Sequence, residues 1–250
     1  MSTVEKSDLQ QRWFPVCSRA DLQPRHILET ALLGQDLAVW RGSAAVANVW
    51  ENRCPHRGMR LTVGVNMGAE LRCAYHGYRF ASGSATCTTV PAQPERTPPR
   101  SLCIKSYPVR EAGNLIWTRL AHDGAGAELP LGEVGDSLVL YAVAVRATPS
   151  VLASGLAGYR FRPSAMLGEP DDSSESCETL PLDDYNFRSV ARNGRQTTEV
   201  RLFLQPVDTH CTVLHGIVLG SSTIAQQVAT LRHHALQFDR LRETCERVSG

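Results

Sequence analysis

The sequence lacks long apolar runs, an excess of charge of either sign, and an apolar start. Its 250 residues include 26 Lys and Arg against 25 Asp and Glu, for a net charge of +1, with basic residues spread along the chain. This balance argues against nucleic acid as a partner. The apolar runs are far too short to span a bilayer, and the polar N-terminus has no signal-peptide core. We therefore expect a cytoplasmic protein that binds neither nucleic acid nor membrane.

The chain also lacks internal repeats and low-complexity tracts, but it is not poor in cysteine. It has eight cysteines, and its length allows a substantial core without covalent cross-links. In a cytoplasmic chain of this size, cysteines are expected to be metal ligands or free core thiols rather than a disulfide framework.

The first half of the chain has the pattern of a β-domain. Short apolar runs separated by turn residues predict strands at 36–40, 44–50 and 114–118. Four prolines within 91–100 predict an irregular surface segment. A stretch rich in Gly, Ala and acidic residues then predicts a linker. The predicted parts of the chain are a tail at 1–12, a β-domain at 13–120, a linker at 121–137 and a C-terminal domain at 138–250.

The second half predicts paired strands. Alternating or β-branched apolar residues favour strands at 138–145, 199–204 and 212–219. The carboxylate-rich and serine-rich stretch 169–184 favours an exposed loop.

The last segment predicts one long helix at 223–248. Its apolar residues recur at steps of three and four, which gives one apolar face on a helix. Thr223 and Gln226 fit a capping box at its start. The predicted apolar face consists of Ile224, Val228, Leu231, Ala235, Phe238, Leu241, Cys245 and Val248. The predicted fold class is therefore α+β, mostly β, with a long C-terminal helix.

Two short stretches each place one cysteine close to one histidine. Loop 1 is 54–58 (CPHRG) and loop 2 is 73–80 (CAYHGYRF). Structural zinc sites usually take two cysteines from one stretch and two histidines from another. Here Cys54 pairs with His56, and Cys73 with His76. Mixed pairs suit a dinuclear centre better, in which two thiolates hold one iron and two imidazoles hold the other, as in a Rieske [2Fe–2S] cluster.

The two loops resemble the cluster loops of the Rieske non-haem iron oxygenases. The likeness continues through Gly83, Cys87 and Pro91, and it ends with the segments 107–109 and 114–117. It implies an N-terminal Rieske [2Fe–2S] β-domain, followed by a reduced helix-grip-like antiparallel sheet with the long C-terminal helix. It also implies that Cys54, His56, Cys73 and His76 hold the cluster.

The residues beside the loops carry further expectations. Arg57, Tyr75 and Tyr78 adjoin the predicted ligands, so they are candidates for tuning the cluster potential. Respiratory Rieske proteins resemble the chain less well, because they carry an extra disulfide-forming cysteine in each loop. Here Cys87 and Cys103 lie outside both loops, and we expect them to be buried free thiols.

The resemblance also implies a second iron site, which the sequence does not supply. In the family, the C-terminal domain holds a mononuclear Fe(II) on two histidines and one carboxylate, which leaves positions open for O₂ and substrate. Both histidines lie early in that domain. The corresponding region, 147–160, contains no histidine and no carboxylate. We therefore expect a shortened, degenerate domain without a mononuclear Fe(II).

Later histidines offer only an atypical ligand set. His210 and His215 are five residues apart, and such residues on a strand point to opposite faces. His233 is predicted to be solvated on the helix, and His234 to flank the apolar face. The segment 238–243 resembles the family's terminal helix, which puts Asp239 where the third ligand would lie. We interpret Asp239 as a relic or a surface residue.

Three functions remain open. The first is a Rieske protein that accepts single electrons from a reductase or ferredoxin and passes them to the iron of a catalytic oxygenase subunit. The resemblance implies a homo- or hetero-trimeric assembly for this role. The second is an active mono- or dioxygenase, for hydroxylation or demethylation, with atypical iron ligands. The third is a structural or redox-sensing subunit. Intact loops beside a missing triad favour the first, with no catalytic residue in this chain.

Overall fold

The computed structural model describes residues 3–122, 128–132, 134–135, 137–163, 175–193, 196–220 and 223–249. The chain divides into two compact units. The first comprises Met1–Glu111 and Ile116–Ala127, and the second comprises Ala112–Leu115 and Glu128–Gly250. The predicted linker at 121–137 lies partly outside the described residues, so its bounds stay a prediction.

The first unit consists mainly of short strands. Its elements are α1 (Thr3–Gln11), β1 (Phe14–Ser18), β2 (Ile27–Leu32), β3 (Gln35–Arg41), β4 (Ala47–Glu51), β5 (Val65–Asn66), β6 (Glu70–Arg72), β7 (Arg79–Ala81), β8 (Cys87–Thr89), β9 (Ser106–Tyr107), β10 (Val109–Ala112) and β11 (Leu115–Thr118). Its sheets have the strand orders β1-β11-β10, β2-β3-β4-β9 and β5-β6-β7-β8. These strands lie within 13–120, the predicted β-domain, whose bounds stay a prediction, and the predicted tail contains the helix α1.

The core of this unit lies beneath the two Cys/His loops. Trp40 on β3 and Trp50 on β4 are buried and pack edge to face, with ring centroids 4.9 Å apart. Cys54, Cys73 and Phe80 belong to the same apolar cluster. The loops therefore start from a rigid base, because tightly packed side chains resist displacement.

The second unit contains one antiparallel sheet and two helices within the part of the chain that the structure describes. Its elements are β12 (Ser137–Val139), β13 (Val143–Val145), α2 (Pro149–Leu156), β14 (Ser176–Pro181), β15 (Asn186–Asn193), β16 (Gln196–Pro206), β17 (Thr212–Leu219) and α3 (Ile224–Ser249). The strand order is β12-β17-β16-β15-β14, with β13 also paired to β17. The predicted pairing of 199–204 with 212–219 is confirmed by Val200 opposite Val218. The predicted fold class is confirmed.

Two strand predictions in this unit were wrong in part. The predicted strand at 138–145 is broken into β12 and β13, which both pair with β17. The predicted loop at 169–184 contains β14, whose Cys177 lies opposite Ala191 on β15. β14 is a largely exposed edge strand, so its polar residues resemble a loop, while backbone pairing rather than apolar content makes it a strand. Residues 169–174 of that prediction lie outside the described residues.

The long helix α3 begins where the sequence predicts. Thr223 N–H donates to Gln226 Oε1 at 2.9 Å, and Gln226 N–H donates to Thr223 Oγ1 at 3.4 Å, which confirms the capping box. The predicted apolar face was wrong at Ile224, Val228 and Val248, which are exposed. The buried face instead consists of Thr230, His234, Phe238, Leu241 and Cys245. No helix among the described residues is both long and apolar enough to cross a membrane.

Candidate metal centre

Loop 1 is closed by its own backbone. Cys54 N–H donates to the Met59 carbonyl at 2.8 Å, and Gly58 N–H donates to the Cys54 carbonyl at 2.8 Å. Gly58 has φ +73°, a conformation that glycine adopts without steric cost. At the base of the loop, the buried Asn52 side chain exchanges hydrogen bonds with Thr62 at 2.9 and 3.1 Å. The loop is therefore a defined turn rather than a free connection.

Loop 2 repeats this backbone pattern at the β6–β7 hairpin. Cys73 N–H donates to the Tyr78 carbonyl at 2.9 Å, and Gly77 N–H donates to the Cys73 carbonyl at 3.2 Å. Gly77 has φ +71°, and a Cβ there would lie 3.3 Å from Pro91 Cγ. In both loops the glycine four residues after the cysteine closes the turn, so the two cysteines are presented in the same way.

The structure brings the four predicted ligands together as two pairs. The rings of His56 and His76 are 4.7 Å apart between centroids, and both residues are exposed. Cys54 and Cys73 are both buried, with 2% of each exposed, and the Cys73 thiol lies within hydrogen-bond reach of Cys54. The imidazoles thus form an outer pair and the thiols an inner pair.

The electrostatics of the inner pair suit a cation. Burial raises the pKa of the Cys54 thiol to about 11, and the adjacent Cys73 thiol adds to the rise. The backbone N–H groups of His56 and Arg57 oppose it, because they donate toward the sulfur. Desolvation, His76 and Arg57 lower the pKa of His56, which favours the neutral imidazole that binds metal. A bound cation would reverse the penalty on the thiolates.

The donor set fits a [2Fe–2S] cluster better than a single ion. A Rieske cluster takes two thiolates on one iron and two imidazoles on the other, which is the pairing seen here. By contrast, no three His, Cys, Asp or Glu side chains within the described residues surround one common ion position.

Two tyrosines contact the imidazoles. Tyr78 lies parallel to His56, with ring centroids 4.4 Å apart and an interplanar angle of 18°. Tyr75 lies 3.8 Å from His76 between centroids and is itself exposed. These contacts orient both imidazoles, and the tuning of a cluster potential by Tyr75 and Tyr78 stays a prediction.

Cys87 and Cys103, which lie outside the loops, are free thiols. Cys87 is buried and packs in the same core as Cys54, as expected. The prediction that Cys103 is buried was wrong. Cys103 lies beside the buried Ile104 in an extended segment, so its side chain points to the opposite, solvent-facing side.

The structure does not gather the atypical iron ligands into one site within the described residues. His210 is exposed in the turn before β17, where its N–H donates to Asp208 Oδ1 at 2.7 Å. His215 is buried on β17, with its Nε2 2.7 Å from Gln205 Oε1. Asp239 is half exposed and forms an ion pair with Arg242 at 3.0 Å. These residues do not share a site with His234 in the described part of the chain.

The predictions for His233 and His234 were both wrong. His234 is fully buried at the centre of the helix face, where Tyr159 OH is hydrogen-bonded to its Nδ1. His233 is half-buried rather than solvated, because it lies against His234 with ring centroids 5.5 Å apart. Burial raises the pKa of Tyr159, so its hydroxyl stays protonated and forms a neutral hydrogen bond with the imidazole. That partner lets a histidine occupy an apolar core.

The buried His234 predicts a loss of stability below neutral pH. Burial, and then the charge of His233, lower the pKa of His234 to about 3. In the unfolded chain this histidine has an ordinary pKa and binds a proton at a pH where the folded chain does not. The free energy of unfolding therefore falls as the pH falls from about 6.5 toward 3. Between pH 7 and 5 this contributes about 2 kcal/mol. Urea unfolding of the wild type and of His234→Phe should differ in their pH dependence by that amount, and equal slopes would contradict it.

Sequence reasoning missed the arginines around the loops. Arg53 directly precedes Cys54, and Arg72 directly precedes Cys73, so the repeated Arg-Cys pair is the signal that could have found them. Both side chains are exposed.

Known proteins resemble the chain most clearly in its first half. Residues 12–108 match the Rieske [2Fe-2S] domain family. Oxidoreductase NdmD of Pseudomonas putida is 44% identical over 140 residues, which cover 56% of this chain and 23% of that protein. The 3-chlorobenzoate-3,4-dioxygenase oxygenase subunit of Comamonas testosteroni is 32% identical over 131 residues, which cover 50% of this chain and 29% of that protein. The chain thus spans less than a third of either relative.

A solved structure extends the likeness to the second half. NdmA of Pseudomonas putida CBB5 superposes with a TM-score of 0.73 and 21% identity, over 97% of this chain and 82% of that one. At that identity the likeness concerns the fold alone. The matched domain, the relatives and the shared fold confirm the resemblance that the two loops indicated. The chain carries a Rieske [2Fe–2S] domain at residues 12–108, and its relatives include an oxygenase subunit of which it spans less than a third.

Proposed function

We propose that Cys54, His56, Cys73 and His76 hold a [2Fe–2S] cluster, and that the chain carries single electrons within a Rieske-type oxygenase system. The observation that carries the proposal is the convergence of two buried thiols and two exposed imidazoles from loops of matching backbone. When bound, the cluster supplies one-electron transfer at a potential of roughly −150 to +300 mV.

The chain's own residues divide the work between the two ends of the site. Because Cys54 and Cys73 are buried, their sulfur atoms are shielded from water. The N–H groups of His56 and Arg57 stabilise the Cys54 thiolate. The exposed His56 and His76 form the end at which a partner protein can approach. Tyr78 and Tyr75 keep these imidazoles oriented.

The second unit supports a role without its own catalytic iron. Three members of the atypical ligand set are engaged in other contacts. His215 binds Gln205, His234 binds Tyr159, and Asp239 pairs with Arg242. Electrons would therefore leave this chain for an iron held by another subunit.

The relatives support the proposed partners. The relative with 44% identity is named an oxidoreductase, whereas the other is named an oxygenase subunit. We propose a reductase or ferredoxin as the electron donor and a catalytic oxygenase subunit as the acceptor, within a homo- or hetero-trimeric assembly.

Metal analysis tests this function. The anaerobically purified chain should contain about two irons and about two acid-labile sulfides, and reduction should produce the EPR signal of one [2Fe–2S] centre. Absence of labile sulfide would contradict the cluster. About three irons for every two sulfides would contradict a role limited to electron transfer, because the extra iron would need a site of its own.

A further inference from the structure

The near-neutral charge of the chain conceals two oppositely charged parts. Residues 13–120 contain 13 Arg and Lys against 7 Asp and Glu, whereas 121–250 contain 11 against 16. The Rieske part is therefore basic. The question is where on this part the excess positive charge lies.

The excess concentrates beside the two cluster loops. Arg53 packs over loop 1, since its Nε would lie 3.3 Å from a Cβ on Gly58. Arg57 lies within loop 1 and is exposed, and its charge acts on His56. Arg72 ends β6, directly before loop 2. We call Arg53, Arg57, Arg72 and Arg79 the arginine rim.

Among the described residues, the acidic side chains nearby pair with Arg60 and with one member of the arginine rim, Arg79. Glu29 and Asp36 pair with Arg60 at 2.7 and 3.1 Å. Glu70 reaches only Arg79, at 3.8 Å, and it also accepts a hydrogen bond from Thr88 at 2.6 Å.

Three arginines of the rim are consequently left without a counter-ion. Arg53, Arg57 and Arg72 form no ion pair within the described residues. The positive potential of these arginines is thus available to attract an anionic partner.

One pair in the arginine rim is unfavourable for the fold. Arg72 on β6 lies directly opposite Arg79 on β7, at the base of loop 2. Like charges directly opposite each other on neighbouring strands destabilise a hairpin. An anionic partner that binds across both strands would relieve this repulsion.

The surface within the arginine rim has the composition of a protein interface. Tyr75 is 57% exposed at the tip of loop 2, beside the exposed imidazoles, and Val65 is exposed opposite Arg72. Tyrosine and arginine are the residues that most often carry binding energy between proteins. An exposed tyrosine on a loop flanked by arginines therefore fits an acidic protein face rather than a small anion.

We propose that the arginine rim docks the acidic surface of a one-electron redox protein against the exposed His56 and His76. The inference rests on the proposed electron-transfer function and names the chemistry of its partner. In the docked pair one electron passes between the partner and the cluster; no bond forms or breaks and no proton is required.

Stopped-flow reduction of the oxidised holo-protein by a reduced, acidic plant-type [2Fe–2S] ferredoxin tests the docking. The transfer is downhill, because that donor lies near about −400 mV. Raising the ionic strength from about 0.01 to about 1 M shortens the Debye length from about 30 to about 3 Å, so the second-order rate constant should fall at least about tenfold. Arg57→Glu and Arg72→Glu should each lower the low-salt rate by about tenfold.

Arg25→Glu is the matched control. It makes the same change in net charge on an exposed residue before β2, outside both loops, and should change the rate by less than about twofold. Equal effects of Arg25→Glu and Arg57→Glu, or a rate insensitive to salt, would overturn the proposal. A different partner would also overturn it. In that outcome the wild type binds anionic vesicles, duplex DNA or a second copy of the chain in a salt-sensitive way, and Arg57→Glu abolishes this binding without changing the rate of reduction by ferredoxin.

Reduction by dithionite separates the two proposals. If EPR shows no cluster after addition of dithionite, the proposed function itself is contradicted. If dithionite reduces the cluster, but the rate of reduction by ferredoxin depends neither on salt nor on the substitutions Arg57→Glu and Arg72→Glu, only the docking proposal is contradicted.

Discussion

Replacing Cys73 with alanine is expected to leave the purified chain without its [2Fe–2S] cluster. The variant removes one of two buried thiols that face each other beneath the imidazoles. Without Cys73, one iron of the dinuclear centre lacks a thiolate ligand and is open to water and to ligand exchange. The content of acid-labile sulfide should therefore fall by at least about tenfold. Acid-labile sulfide per chain and the visible absorption of the cluster are the measurements.

Cys87→Ala is the control for this loss. Cys87 is also a buried thiol, in the same core as Cys54, but it lies outside both loops. It should keep its full sulfide content, with at most a change in stability. If Cys87→Ala lost as much sulfide as Cys73→Ala, the loss would reflect disruption of the core, and Cys73 would not be assigned as a ligand.

Phe238→Ala is expected to have the largest effect on the stability of the second unit. Phe238 is 1% exposed on α3, and its ring lies 5.9 Å from that of Tyr159 between centroids. Its Cζ would lie 3.3 Å from a Cβ at Gly216 on β17, so the ring fills the space between helix and sheet. Truncation should cost about 3–5 kcal/mol of unfolding free energy, from lost burial and the cavity left behind.

Urea unfolding followed by far-ultraviolet circular dichroism measures this loss. Leu236→Ala, two residues away on the same helix, is the matched control, because Leu236 is 55% exposed. It should change the free energy by no more than about 0.5 kcal/mol. Similar midpoints for the two variants would show that α3 does not depend on its buried face.

The chemistry of the site could be predicted because each Cys/His pair lies within one short loop. Spacing alone separated mixed pairs from the usual zinc arrangement, and the resemblance supplied the cluster type. The arginine rim could not be predicted from overall charge, because a net charge of +1 averages a basic part and an acidic part. Only strand pairing shows that Arg72 and Arg79 face each other.

The predictions for the buried face of α3 and for the edge strand β14 were wrong in part for a different physical reason. Apolar periodicity predicted α3 and its start, but the buried face includes Thr230 and His234, which the pattern treats as polar. A hydrogen bond from Tyr159, distant in sequence, makes His234 acceptable there. In β14, backbone pairing with β15 gives a strand where composition indicates a loop. Both outcomes depend on partners that local sequence does not contain.

The short segment Ala112–Leu115 has a practical consequence for dissecting the chain. It is the tip of the β10–β11 hairpin, yet it belongs to the second unit. Asn114 Nδ2 donates to the Ser137 carbonyl at 3.0 Å, and a Cβ on Gly113 would lie 2.8 Å from Leu131 Cδ2 and 3.1 Å from Ile217 Cδ1. A fragment cut at residue 120 would strip the hairpin tip of these neighbours. A stand-alone Rieske fragment therefore needs a redesigned tip as well as a new chain end.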